Sequence, residues 1–433
     1  MSKFISFVIF LNLLVFLSAC GVDSSQSSSS SSTLAKATTT QSSIPMLAIL
    51  VNYDNVAIDS NEATWTSKLF GYEEGELNHY YMQTSASYFK FTQAAETYGE
   101  QNSGVVSVHL NKNHPNISVD SNYFIEETYP DLTNALKEVD DYVDFSNFDS
   151  NADGYISSNE LLITFIVAGY EDAYEGRHVT NGIWAHQNCM EESSNIATLD
   201  AVSLMGCSNR GNFALFGEKH NFSNPHDATI GIIAHELGHA AFNLPDLYNT
   251  ANPNSGGIGY FGIMGAGTWG SKNSSEYAGN TPTHFCAWSK TYNGWIQPHE
   301  ERAIAATLVE SASEEYNIIK IPIDSHSYYL LENRNNSGYD RGLDALDGDF
   351  NGGVAIWKID ESKLTEEYVY NNIVNADTKN KGVDLVEAVN GYIDSYGDAG
   401  NENALYYEGN VNSFSTLVTN ISQRGSKMTL NIQ

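Results

Sequence analysis

Short apolar runs alternate along the first 300 residues with segments in which apolar residues recur every three or four positions. Continuous or β-branched apolar runs predict buried strands over Met46 to Tyr53, Val105 to Leu110 and Leu161 to Ala168. Helical spacing predicts helices over Thr64 to Phe70, Asn78 to Phe89, Ile125 to Val143 and Thr281 to Trp295. Together these elements predict a layered α/β domain.

Beyond Pro298 the pattern changes to short strands separated by turns rich in Gly, Asn and Asp. Strands are predicted over Glu315 to Pro322, Ser327 to Asn333, Gly353 to Ile359 and Lys427 to Ile432. In this part of the chain, apolar residues recur at helical spacing only over Glu361 to Asn371. The predicted fold class is therefore α+β, with an α/β domain over residues 44–300 and a smaller β-rich domain over 301–433.

The strongest chemical signal is the sequence HELGH at residues 235–239, within a predicted helix. Asp227 is a plausible N-cap, and Asn243 followed by a proline is a plausible helix stop. Residues four apart share a helix face, so His235 and His239 can bind one metal ion, which the pattern predicts to be zinc. Glu236 falls near the same site, where it can act on a water molecule.

A catalytic zinc usually has three protein ligands and one open position. Asp246, which follows the helix in the segment NLPDLY, is the nearest candidate for the third ligand. An Asp after a helix end and next to a proline is also common for turn formation alone. Glu276 and the more distant Glu332 are therefore alternatives.

A second cation site is predicted in the loop from Asp149 to Glu160, directly before the strand predicted over Leu161 to Ala168. It fits the pattern D-x-[DN]-x-[DN]-G-x5-E position by position, which is typical of calcium-binding loops. The candidate ligands are Asp149, Asn151, Asp153, the carbonyl of Tyr155, and Glu160. An Asx-rich surface turn is the alternative. Because an apolar strand follows, the loop is embedded in the α/β domain and is not a calcium sensor.

The net charge of the chain disfavours some classes of binding partner. The 433 residues contain 21 Lys and Arg against 53 Asp and Glu, a formal net charge of −32. This argues against nucleic acids and anionic membranes as partners. It suits an exported protein that holds cations.

The N-terminus has the pattern of a targeting segment. Lys3 precedes the apolar stretch Phe4 to Leu17, which is too short to span a membrane comfortably. The run that ends at Cys20 resembles a bacterial lipobox, so residues 1–19 are predicted to be a lipoprotein signal peptide and Cys20 the lipidated residue. Residues 20–43, with the Ser-rich run Ser24 to Ser32, are predicted to be a tether. The expected location is the outer membrane or cell surface, or the medium after release.

Three further cysteines bear on structure. Cys189 and Cys207 lie close together in sequence around a polar loop and are the predicted disulfide pair, since export permits disulfides. Cys286 lies in an aromatic run and is predicted to be a buried free thiol.

Taken together, these motifs resemble the immune inhibitor A-type peptidase family of secreted bacterial zinc metallopeptidases. The resemblance rests on HELGH and the segments LPDLY, IMGAGTWG, TPTHFCAWSK, YYLLENR and GVAIWKID, and spans residue 44 to the C-terminus. It implies a zincin-like catalytic domain with an active-site helix. It also implies that Met264 forms a turn beneath the zinc. Tyr248 or Tyr260 is expected to help stabilise the oxyanion that develops at the scissile carbonyl.

The chain departs from the family pattern HExxHxxGxPD at two positions. Phe242 stands three residues after the second histidine, where the family has glycine, and Asp246 stands seven residues after it instead of six. One residue is thus inserted between the helix and the candidate ligand.

The predicted function is a secreted or surface-anchored zinc endopeptidase, with protein or peptide substrates, zinc and calcium as cofactors, and a monomeric state. The alternative is a non-catalytic, calcium-stabilised surface-binding lipoprotein with a peptidase-like fold. The presence of His235, Glu236 and His239 together favours the enzyme. The sequence predicts neither cleavage preference nor physiological substrate.

Overall fold

Strand β1 (Ser42–Tyr53) lies at the centre of the largest sheet and is buried on both faces. Met46, Ala48 and Leu50 pack into one hydrophobic core, and the alternate residues Leu47 and Ile49 pack into another. A strand covered on both faces needs apolar residues at every position, which explains the continuous apolar run.

The structure is a computed structural model that describes residues 42–116, 127–176, 178–191, 195–251, 256–347, 350–389, 393 and 401–433. The predicted signal peptide, Cys20, nearly all of the tether, and Ile125 at the start of a predicted helix lie outside these residues.

The largest sheet is mixed and contains eight strands. Strand β1 pairs in parallel with β2, β3 and β4, and β4 pairs in parallel with β5 and β9. Strands β6 and β10 pair antiparallel with β9. The remaining strands of this half, β7 and β8, form a separate hairpin. The bounds are β1 (Ser42–Tyr53), β2 (Phe89–Gln93), β3 (Val105–Leu110), β4 (Leu162–Glu171), β5 (Gly182–Ile183), β6 (His186–Asn188), β7 (Ala197–Leu199), β8 (Val202–Leu204), β9 (Phe213–His220) and β10 (His226–Asp227).

Helices cover both faces of this sheet. Helix α5, which carries HELGH, packs against β6 and β9, and α3 lies on the opposite face. The bounds are α1 (Glu62–Phe70), α2 (Leu77–Thr84), α3 (Tyr129–Val139), α4 (Asp172–Glu175), α5 (Ile230–Phe242), α6 (Ala287–Tyr292), α7 (Asp344–Asp347) and α8 (Glu366–Tyr370). The protein is thus a mixed α/β structure. No helix in the described ranges is both long and apolar enough to cross a membrane.

Three predicted helices were too long, and the one predicted over Ile125 to Val143 ends at Val139. The helix predicted over Asn78 to Phe89 ends at Thr84, because Ala86 and Ser87 adopt left-handed backbone conformations and Phe89 then begins β2. The helix predicted over Thr281 to Trp295 is limited to α6. In the stretches that end at Phe89 and Trp295, the apolar spacing comes from aromatic residues that lie partly in the helix and partly in the chain beside it.

The C-terminal part is rich in β-structure, as its turn pattern predicts. Five strands form one sheet in the order β11-β13-β14-β15-β16, and three form another in the order β12-β18-β17. The bounds are β11 (His299–Glu300), β12 (Ala306–Val309), β13 (Ile319–Pro322), β14 (Ser327–Arg334), β15 (Gly353–Asp360), β16 (Val383–Leu385), β17 (Val418–Thr419) and β18 (Lys427–Ile432). One hydrophobic core extends from Leu237 of α5 to Leu330 and Trp357 of this part, within one compact unit, Thr40–Gln433. The division into two domains at residue 300 stays a prediction.

A fully buried group of charges crosses from the first part of the chain to the second. Nε of Arg334 donates to Oδ2 of Asp340 at 2.6 Å, and Nη1 of Arg334 donates to the carbonyl of Phe261 at 2.5 Å. Lys290 lies 3.7 Å from Glu332, and all four side chains are completely buried. Through Phe261 this network fixes the segment that lies beneath α5.

Candidate metal centre

Helix α5 ends at the position where the family pattern has glycine. It begins after Thr229 and continues through Phe242, whose ring packs edge-on against Trp295 with centroids 5.0 Å apart. Asn243 then takes the left-handed conformation, with φ of 54°, and its N–H donates to the carbonyl of His239 at 2.8 Å. Asparagine is one of the few non-glycine residues that adopt this conformation readily. The chain therefore turns at Asn243, one residue after the position where the family pattern has glycine.

The turn brings Asp246 back to the two histidines. Oδ1 of Asp246 lies 3.1 Å from Nε2 of His235 and 3.3 Å from Nε2 of His239, and the two nitrogens are 3.1 Å apart. His235 and Asp246 are 6% and 5% exposed. Among the described residues, these three form the one group of His, Cys, Asp or Glu side chains that is arranged to hold a metal ion.

Backbone carbonyls orient both imidazoles. Nδ1 of His235 donates to the carbonyl of Ile263 at 2.8 Å, and Nδ1 of His239 donates to the carbonyl of Leu244 at 2.5 Å. A carbonyl oxygen only accepts, so the proton of each neutral ring lies on Nδ1. Both Nε2 atoms therefore face Asp246 with lone pairs, which is the tautomer that a metal ligand needs.

This arrangement fits a zinc ion. Ligands about 2.0–2.1 Å from a tetrahedral ion lie about 3.3 Å from one another, close to the separations found here. Oδ1 of Asp246 is buried without a hydrogen-bond partner. A metal cation between these three electron-pair donors would balance their charge in this buried place.

Glu236 lies beside this group and is almost fully buried. Burial raises the pKa of its carboxyl to about 8, although the nearby His235 opposes the rise. A second buried carboxyl, that of Glu171, contributes to the effect on Glu236. Glu171 accepts backbone N–H groups from Ala173, Ala185 and Gly217 at 2.8–3.0 Å. A carboxyl with its pKa near neutrality can both accept and donate a proton at physiological pH.

The residues assigned supporting roles have different positions. Met264 is buried beneath α5 against Gly238, and its carbonyl accepts the N–H of Leu247 at 2.7 Å. Tyr248 lines the cleft next to Asp246, and burial together with that carboxylate raises its pKa far above 10. Tyr260 is not among the residues that line the cleft.

A cleft of about 480 Å³ opens in front of the histidines. One wall is β6, one is the Asn243–Tyr248 turn, and a third is the end of α8 with Val369, Tyr370 and Asn372. Cys189 and Cys207 also line it, joined in a disulfide with an S–S distance of 2.09 Å. Cys286 is a buried free thiol.

The alternative third ligands are engaged elsewhere. Glu276 binds Lys272 at 3.0 Å and accepts the Thr281 hydroxyl at 2.8 Å. Glu332 belongs to the buried charge network. Neither belongs to the histidine group.

The predicted calcium loop has the expected turn. Gly154 adopts a φ of 80°, and its N–H donates to Asp149 at 2.9 Å. Both oxygens of Glu160 accept hydrogen bonds, one set from Ser150 and the other from Ser157. Calcium binding here stays a prediction.

The sequence does not predict that Asn372 belongs to this site. It contacts Asp246 although 126 residues separate them. The local sequence offers only an asparagine pair after a helical pattern, which predicts a turn and says nothing about a distant partner.

Fold and cleft together define a class: an α/β protein with a metal centre built from two histidines and one carboxylate. Residues 49–296 match the family described as immune inhibitor A peptidase M6, catalytic domain. The chain belongs to this family of peptidases, and membership implies a bound metal.

Curated relatives agree with this assignment. The chain is 30% identical over 197 residues to the pre-pro-metalloprotease PrtV of Vibrio cholerae serotype O1 (strain M66-2), covering 44% of this chain and 18% of PrtV. It is 30% identical over 155 residues to immune inhibitor A of Bacillus thuringiensis subsp. alesti, covering 34% of this chain and 21% of that protein. The chain thus matches only about a fifth of either relative's length.

Among solved structures, OgpA from Akkermansia muciniphila aligns over 77% of this chain and 89% of its own, at 12% identity and a TM-score of 0.29. A likeness this slight establishes neither fold nor activity.

Proposed function

We propose that this protein is a zinc-dependent endopeptidase with a zincin-like catalytic domain. The observation that carries the proposal is the triangle formed by Nε2 of His235, Nε2 of His239 and Oδ1 of Asp246, with sides of 3.1–3.3 Å. These three side chains would hold the zinc ion. Glu236, from the same helix, lies within the cleft beside them.

When bound, zinc supplies polarisation of a peptide carbonyl and lowers the pKa of water. Glu236 accepts the proton of the attacking water and later delivers it to the leaving amine nitrogen. Tyr248 keeps its hydroxyl proton, since its pKa lies far above 10, and can donate to the oxyanion that develops at the carbonyl.

The shape of the cleft favours an extended peptide as substrate. Strand β6 lines the cleft, and its one pairing partner among the described strands is β9. An extended peptide can pair with such an edge through main-chain hydrogen bonds, which require no particular side chains. This supports a protein substrate over a small molecule.

The test compares zinc content and casein digestion in wild type and Glu236→Ala. The variant should retain zinc and lose about 10²-fold or more of its activity, because the water loses its proton acceptor. Glu138→Gln, on the exposed face of α3, serves as the matched control and should match wild type. Equal digestion by Glu236→Ala and wild type would exclude this mechanism. Zinc binding without any digestion by wild type would favour the non-catalytic binding protein instead.

The proposal also includes calcium at the Asp149–Glu160 loop. The support is the full match to the calcium-loop pattern together with the positive φ of Gly154. Bound there, calcium would stabilise the loop between α3 and β4 and would not take part in catalysis.

Export and lipid anchoring at Cys20 complete the proposal, with the lipobox-like run as their support. Mass spectrometry of the mature protein should find a lipidated N-terminal Cys20, and Cys20→Ser should release the protein or block its processing. An unmodified N-terminus at another residue would contradict the anchor.

A further inference from the structure

The carboxylate of Asp246 is held in place by a residue outside the family-matched segment. The backbone N–H of Asp246 donates to Oδ1 of Asn372 at 2.7 Å, and Nδ2 of Asn372 donates to Oδ2 of Asp246 at 2.6 Å. The amide orientation is fixed, because a backbone N–H only donates and a carboxylate only accepts. Asn372 thus occupies one oxygen of Asp246 and leaves Oδ1 to face both histidines.

Asn372 is itself fixed from both sides. It adopts a left-handed backbone conformation with φ of 53°, its N–H donates to Val369 at 3.0 Å, and its carbonyl accepts the hydroxyl of Thr250 at 2.7 Å. Three residues later, Nδ2 of Asn375 donates to the carbonyl of Leu247 at 2.9 Å. The turn after α8 is therefore hydrogen-bonded to the chain on the C-terminal side of Asp246.

We infer that Asn372 is a positioning residue of the metal centre, which selects the oxygen of Asp246 that binds the metal. A carboxylate free to rotate presents either oxygen and must be ordered when the metal binds. One with its second oxygen already hydrogen-bonded is ordered beforehand. The inference rests on the proposed function for the identity of the metal. It makes residues 366–375 a structural part of the catalytic site.

Two substitutions at Asn372 separate orientation from packing. Asn372→Gly removes both hydrogen bonds and tolerates the positive φ. Asn372→Asp retains an acceptor for the N–H of Asp246, but replaces the donor with an oxygen that repels the carboxylate. Asn420→Gly is the matched control, since Asn420 is exposed and has a similar φ of 52°.

The measurement is the zinc Kd of the folded, metal-free proteins, by competition with a chromophoric chelator. Both Asn372 variants should bind zinc about 10- to 100-fold more weakly than wild type, and Asn420→Gly should match wild type. If Asn372→Asp binds zinc as tightly as wild type or more tightly, Asn372 only accepts the backbone N–H and the inference is wrong. The same conclusion follows if Asn372→Gly matches Asn420→Gly.

Asp246→Ala, measured in parallel, separates this inference from the proposed function. Its zinc affinity should fall at least as far as that of the Asn372 variants. If Asp246→Ala binds zinc like wild type, the proposed ligand set is wrong and the inference falls with it. If zinc binding is weakened only in Asp246→Ala, the proposed ligand set stands and the role of Asn372 is refuted.

Discussion

Gly238 of the HELGH motif lies directly against Met264, so that a β-carbon built on Gly238 would be 2.7 Å from the Met264 sulfur. The same β-carbon would lie 3.3 Å from the ring of Phe285. Gly238→Ala should therefore lower the free energy of unfolding by about 1–3 kcal/mol through overpacking, although alanine is the better helix former. Urea titration of the metal-free protein measures this change.

Met264→Ala supplies the control for that contact. Alone it should cost about 2–5 kcal/mol because it leaves a cavity under α5. Combined with Gly238→Ala it should cost less than the sum of the single changes, since the new methyl group enters that cavity. Strict additivity of the two changes would show that Gly238 and Met264 do not constrain each other.

Glu171 should make the stability of the metal-free protein depend on pH. Burial raises the pKa of this carboxyl to about 7, whereas in the unfolded chain it titrates near 4.5. The folded state therefore binds the proton more tightly, and stability is lost as pH rises from about 4.5 to 7. The loss from this one group is on the order of 3 kcal/mol.

Glu171→Gln tests this effect because it cannot titrate. Free energies of unfolding are measured for both proteins in EDTA at pH 4.5 and 8. Wild type should lose more stability over this interval than the variant. Equal losses would mean that Glu171 is ionised at both pH values in the folded state.

The buried ion pair of Arg334 and Asp340 should be costly to break. Asp340→Ala leaves the guanidinium buried with only part of its charge balanced, so the free energy of unfolding should fall by about 3–5 kcal/mol. Glu74→Ala removes the partner of Arg341 at the surface, where Glu74 is 49% exposed, and should cost about 0–1 kcal/mol. A comparable cost at both sites would contradict the importance of burial here.

Calcium should raise the melting temperature, because it binds the folded loop and not the unfolded chain. Glu160→Gln should remove most of the difference in melting temperature between samples with calcium and with EGTA. That difference, and not the melting temperature itself, is the relevant quantity, because Glu160 also binds Ser150 and Ser157. An unchanged wild-type melting temperature in EGTA would refute a calcium site.

Local patterns of apolar residues in the sequence predict much of the fold. The strand of residues 46–53 and that of residues 105–110 are where the apolar runs place them, since burial on both faces leaves a continuous signal. In the stretch up to Phe89 the spacing predicted one helix, because Tyr80 and Tyr81 pack from the helix and Phe89 packs from the strand that follows. Only the left-handed pair after Thr84 ends the helix, and neither Ala86 nor Ser87 is a residue that favours this conformation.

The metal centre could be predicted only in part. Spacing on one helix face identifies His235 and His239, and proximity in sequence suggests Asp246, but the inserted residue left its position open. In the structure, Asn243 adopts the left-handed conformation and turns the chain so that Asp246 reaches the histidines. An Asn after a helix can adopt this conformation but need not, so the sequence alone does not predict it. Asn372 could not be predicted, because its contact with Asp246 depends on how the C-terminal part packs and not on any local pattern.

The buried pair of Lys290 and Glu332 also spans the end of the family-matched segment at residue 296. Lys290 also lies over the ring of Tyr316, 4.1 Å from its centroid, so Tyr316 and Glu332 both contact it from the later part of the chain. A chimera that joined residues 42–296 of this chain to a C-terminal region with no acidic residue at position 332 would bury that ammonium group without its counter-charge. Positions 290 and 332 should accordingly change together among homologues, as a charged pair or as two apolar residues.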